Sequence, residues 1–151
     1  EYEYQWFMFL KLLPQQIPAF WEVLKQAAVQ ADGIEINRQV YLNKLLHSLL
    51  NDKSQCFARL NKDKKLLAVL ITKIGVDKIS GSKTLYLKEL YSWEKVEDKV
   101  WMQNFLFIKK FAAKERCNQL AFESSAPAVW EAGRRVGFKE KSRLFAINME
   151  A

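Results

Sequence analysis

"LYLKELYSWEKVEDKVWMQN", residues 85–104, reads as a strand that runs into a helix through a loop crowded with acids. Leu, Tyr and Trp at close spacing suit a strand. From Val100 onward the apolar residues recur at helical spacing. Strand-to-helix loops of this kind hold phosphate in many folds. Backbone N–H groups and the helix dipole face the anion there, and glycine permits a close approach. Here no glycine occurs between Lys83 and Gly133, and Glu94, Glu97 and Asp98 stand in the loop. Either a phosphate site has been overwritten here or none ever existed.

Upstream of it, "QCFARLN" (55–61) and "LLAVLITKIGV" (66–76) read as strands joined by the polar turn "KDKK", and "DKISGSK" (77–83) as the loop before a third strand, "TLYLKELYSW". Further back, residues 2–13 form an aromatic, apolar strand pattern. Ile17, Phe20, Trp21, Leu24 and Ala28 fall at helical spacing, with Pro18 tolerable in a first turn and Gly33 a stop. Leu42, Leu45, Leu46, Leu49 and Leu50 mark a second helix ending near Asn51. Downstream, residues 99–117 predict the longest helix, buried over a wide face carrying Trp101, Phe105, Ile108 and Ala112. "QLAFESS" predicts a strand, "APAVWEAGRRVGF" a short helix closed by Gly137, and "SRLFAINM" (142–149) a last strand. The expected order is β-α-α-β-β-β-α-β-α-β. That is an α+β fold with a mixed, mostly antiparallel central sheet flanked by helices, in a single domain over 1–151.

Composition narrows the classes. The chain has 151 residues, 50% of them hydrophobic and 13% aromatic, so a packed core is expected and disorder is not. No apolar run approaches the ~20 residues of a membrane span, and no leader pattern opens the sequence. Cys56 and Cys117 lack metal spacing and a disulfide framework, which points to a reducing, cytoplasmic setting without a metal. The net charge of +7 allows an acidic partner or nucleic acid, although the lysines are scattered and mostly suited to solvent.

The element order resembles the GNAT superfamily of N-acyltransferases over nearly the whole chain. "ELYSW" (89–93) is similar to the family's fourth strand, and "RRVGF" (134–138) to the Gly-Phe that follows its fourth helix. The resemblance implies an acyl-CoA site at Leu90, Tyr91 and Ser92 of the strand and at Lys99, Val100 and Met102 of the loop and helix start. Laid on without a gap, the family's Arg-Gly-x-Gly-x-Gly loop puts its arginine on Glu97 and its glycines on Asp98, Val100 and Met102. An acid replaces a cation, and side chains replace the glycines. Asp98 suits an N-cap, and its carboxylate would stand where a phosphate would have been. The family's later tyrosine, a general acid, falls on Gly133, and its asparagine near Ala126.

Glu89 keeps catalysis open, since the resemblance implies a strand glutamate able to deprotonate an ammonium. Strict alternation places it on one face with Leu85, Leu87 and Tyr91. Three functions follow. The first is a catalytically weak or silent interaction or structural module, binding acetyl-CoA or another acyl-CoA weakly or not at all and pairing with a protein partner or with itself. The second is a divergent acyl-CoA-dependent N-acyltransferase with Glu89 as base. The third is a basic domain that binds polyanions through Arg134 and Arg135, beside Lys139 and Lys141. His47, off the leucine stripe, reads as solvent-facing, and Ser124 and Ser125 lack a nucleophile elbow.

Overall fold

The computed structural model describes residues 8–32 and 37–149. A five-stranded sheet carries helices on both faces. Its strands are β1 (Met8–Leu12), β2 (Ser54–Leu60), β3 (Leu66–Val76), β4 (Lys83–Ser92) and β5 (Gln119–Phe122), in that spatial order. The first four pair antiparallel, and β4 pairs parallel with β5. Helices α1 (Ile17–Asp32) and α2 (Arg38–Leu50) cover one face, α3 (Asp98–Lys114) covers the other, and α4 (Pro127–Arg135) follows β5.

Most elements form where the sequence pattern puts them. Pro18 occupies the second position of α1, where its missing N–H is no loss. Asn51 ends α2, its side-chain amide donating to the His47 carbonyl at 2.9 Å, and His47 is exposed as expected. Of the expected first strand, residues 2–7 lie outside the described residues, as does Gly33.

Two cores result. Leu12, Ile17, Leu24, Leu42, Leu49, Cys56, Val69 and Ile71 lie between the sheet and α1/α2. Phe57, Leu70, Leu85, Ile108 and Ala112 lie between the sheet and α3. The strand β2 feeds both and is buried along its whole length. Burial pushes the Cys56 thiol up to about 12, against a weaker opposing pull from Lys11. A buried polar pair between β2 and β3 is satisfied, with the Thr72 hydroxyl donating to Gln55 Oε1 at 2.9 Å.

Three expectations need correction. Residues 142–149 form no strand; they have no regular secondary structure and face solvent, and among the described residues they make no ladder with β5, the sheet edge nearest in sequence. α3 is buried only along a narrow stripe through Ile108 and Ala112, while Trp101, Met102, Leu106 and Phe107 are 37–53% exposed. The strand alternation of β4 also fails. Ile71 pairs with Glu89 and Thr72 with Leu87, so Lys88 is a bulge residue without a partner. The extra residue turns Glu89 and Tyr91 to the α1/α2 face, while Leu85 and Leu87 stay in the α3 core.

Candidate functional site

The bulge and the length of β5 together shape the candidate site. β5 pairs with β4 only over Thr84–Leu87. Beyond Lys88 the strand β4 keeps β3 on one side, with no strand on the other among the described residues. Glu89, Leu90, Tyr91 and Ser92 therefore line an open seam that leads into the loop before α3.

At this seam Glu89 is 3% exposed, and the Tyr41 hydroxyl of α2 donates a hydrogen bond to its Oε1. A carboxylate removed from water needs such donors. Sequence reasoning missed Tyr41. Its side chain lies among leucines on an amphipathic helix, and only the bulge brings Glu89 to its side of the sheet. Leu90 points the other way and is 42% exposed. Tyr91 packs edge-on against Trp93, centroids 4.9 Å apart. The Ser92 hydroxyl donates to the Glu94 carbonyl, tightening the turn out of the strand. Trp93 then borders a surface groove of about 330 Å³ lined also by Phe20, Val23, Lys64, Lys65 and Leu66.

The loop before α3 is acidic in space as well as in sequence. Glu97, not Asp98, is the N-cap: it is extended and makes no side-chain cap, while its carbonyl accepts the Val100 and Trp101 N–H groups at 3.0 Å. Asp98 is the first helical residue, where a carboxylate still opposes the positive helix end. Its Oδ2 lies 3.8 Å from Arg135 Nη1, reaching from the C-terminus of α4. On the same face, Arg59 of β2 is 5% exposed. Burial lowers its pKa, and the charges of Glu94 and Glu97 counter that. Arg135 thus reaches the α3 N-terminus, and the charges of Glu94 and Glu97 act on Arg59. Lys99 and Met102 project outward, and Val100 is half-buried.

The remaining positions are explained by packing. Gly133 is where the resemblance expects a tyrosine. A Cβ there would lie 2.6 Å from the Phe122 ring, so that ring fills the space a side chain would need. Phe122 in turn meets Phe138 edge-on at 4.9 Å, and Phe138 meets Phe105 of α3 at 5.6 Å. Ala126 is the N-cap of α4 without a side-chain cap. Arg134 pairs with Glu131 at 2.6 Å, so both arginines of the basic cluster have an acid of this chain nearby.

No protein-family model matches the sequence, and no curated protein matches it. Solved acetyltransferase structures match the fold along almost its whole length. An aminoglycoside N-acetyltransferase, AAC(6')-Iy, in complex with CoA superposes with a TM-score of 0.74 at 13% identity, covering 99% of this chain and 98% of that one. A predicted acetyltransferase with acetyl-CoA from Clostridium acetobutylicum gives 0.74 at 10% identity, covering 95% and 96%. A ribosomal-protein-alanine N-acetyltransferase from Brucella melitensis biovar Abortus gives 0.67 at 11% identity, covering 95% and 100%. The chain has the GNAT acetyltransferase fold. At these identities the likeness is one of fold.

Proposed function

We propose that this GNAT-fold domain has lost the phosphate grip on acyl-CoA and serves as an interaction module in the cytoplasm, with acyl transfer weak or absent. The observation behind this reading is the approach of Arg135 to Asp98 at the α3 N-terminus, 3.8 Å apart, beside a loop whose acids Glu94 and Glu97 act electrostatically on buried Arg59. A pyrophosphate bound there needs free cations and bare backbone N–H groups. The residues present do not fit it. A carboxylate of the chain already lies near Arg135, and Val100 and Met102 carry side chains at positions where the resemblance expects glycine.

Calorimetry with acetyl-CoA tests the proposal. The unmodified chain should show no micromolar binding. The combined substitutions Glu97→Arg, Asp98→Gly, Val100→Gly and Met102→Gly should raise affinity at least about tenfold, equivalent to ~1.4 kcal/mol. Micromolar binding by the unmodified chain would overturn the proposal.

A second reading rests on the Tyr41–Glu89 hydrogen bond. A carboxylate held by a phenol beside the open seam of β4 is arranged to take a proton from an acceptor ammonium. Glu89→Gln keeps an acceptor for Tyr41 and should leave the fold intact while abolishing any acyl transfer at neutral pH. Full activity in that variant would remove Glu89 from the reaction. The polyanion reading has less support, since an incoming phosphate would compete with Glu131 and Asp98 for Arg134 and Arg135. It requires binding at ~50 mM salt that falls steeply as salt rises.

A further inference from the structure

The outward side of α3 carries a charge pattern that the core does not need. Lys99, Lys109, Lys110 and Lys114 are all exposed, and helical spacing gathers them on one side of the helix. Met102 and Leu106 lie among them, one turn apart, 44% and 53% exposed. Between Lys99 and Lys114 the helix holds no acid; Asp98 and the cap residues Glu97 and Glu115 stand at its ends. Among the described residues no ion pair engages any of the four lysines, whereas Arg134 and Arg135 each have an acid nearby. The result is a basic strip about 25 Å long with an apolar centre. Lys109 Nζ stands 5.8 Å from the centre of the Phe105 ring. That ring also meets Phe138, which brings the backbone of exposed Lys139 up to the margin of the strip.

The chemistry of the strip selects among occupants. A second copy would set lysine against lysine, and like charges repel. Protein interfaces in general deplete lysine and favour arginine and buried aromatic anchors. This strip has no arginine, and its neighbours Trp101 and Phe107 stand on its margins. A nucleic acid would meet the ammonium groups but leave Met102 and Leu106 without a partner. An anionic lipid surface uses both. The ammonium groups stay hydrated among the headgroups at the ends of apolar stems, and the two apolar side chains dip into the interface. No helix among the described residues is long and apolar enough to cross a membrane, so this contact is peripheral.

We propose that the outward side of α3 docks on an anionic lipid surface, through Lys99, Lys109, Lys110 and Lys114, with Met102 and Leu106 entering the interface. Each lysine contributes roughly fivefold in affinity at such a surface, so the binding is reversible and salt-dependent. The inference does not rest on the loss of acyl-CoA binding, and either can fail without the other.

Vesicle flotation of the intact chain tests it. Phosphatidylcholine alone is compared with phosphatidylcholine holding about a third phosphatidylserine. The chain should float with the anionic vesicles at ~50 mM salt, stay behind with the neutral ones, and detach as salt rises. Lys99→Glu combined with Lys110→Glu should weaken binding at least about tenfold. Met102→Ser combined with Leu106→Ser should weaken it at least about threefold. A chain that ignores the anionic vesicles would overturn the proposal, as would equal flotation with both kinds, or full binding by a charge-reversed variant whose melting temperature is native. Duplex DNA bound as tightly as the vesicles, with no loss in the Met102 and Leu106 double variant, would also overturn it and assign a polyanion site. The lipid and salt series use the unmodified chain, so a variant that misfolds cannot shield the proposal.

Discussion

"SQCFARL" at 54–60 and "SRLFAINM" at 142–149 are similar strand-like sequences with opposite fates. Every residue of the first is buried, in the strand β2, and every residue of the second is exposed. The difference is one of partners. β2 lies between β1 and β3, so its backbone groups pair on both sides, while α1/α2 and α3 close over its two faces. Residues 142–149 follow α4, which packs on β5 through Gly133, Phe122 and Phe138, and no strand flanks them among the described residues. Strand propensity expresses itself where an edge is supplied.

The comparison breaks or sharpens under substitution. Phe57→Ala should cost about 3–5 kcal/mol, because the ring fills the α3-side core without solvent contact. Urea unfolding measures it, and a loss below ~1 kcal/mol would mean that β2 is not the central element its burial implies. Gly133→Ala should destabilise by roughly 1–3 kcal/mol, since the new Cβ must displace the Phe122 ring. An unchanged melting temperature would show that α4 is not locked to β5 there. Tyr41→Phe strips a donor from buried Glu89 and should cost about 1–3 kcal/mol, with Glu89→Gln restoring part of the loss in the double variant.

The two cysteines extend the contrast to pH. The raised Cys56 thiol favours the protonated folded state. Its contribution is fully present below the ordinary thiol pKa of about 8.5 and is lost as pH rises from there toward about 12. Unfolding free energy should therefore fall on the alkaline side, and Cys56→Ala should flatten that fall. Cys117 is also raised by burial but is only half-buried, and in the native protein it should react with a thiol reagent before Cys56 does. The smallest effect belongs to the tail. Phe145, 87% exposed, should change stability by less than ~0.5 kcal/mol when replaced by Ala, the reverse of its counterpart Phe57.

Much of the architecture could be read from residue patterns because it rests on local physics. The leucine stripe of α2, the turns at 61–65 and 77–82, and the strand runs of β2, β3 and β4 each follow from periodicity and turn residues within one segment. The acids Glu94, Glu97 and Asp98, and the absent glycines, were equally plain, and they carry the reading of the loop. Other features depended on where segments meet. A bulge at Lys88 has no local signature, because lysine is an ordinary strand residue, yet it alone moves Glu89 across the sheet to Tyr41. Gly133 looked like a lost tyrosine until the Phe122 ring was found in its space. Sequence by itself determined the helices, most of the strands and the chemistry of the loop, since these are set by neighbours along the chain. Tertiary structure alone decided which face Glu89 takes, which acid lies near Arg135, and that 142–149 join no strand among the described residues. Those outcomes depend on contacts between residues tens of positions apart, whose geometry no local pattern encodes.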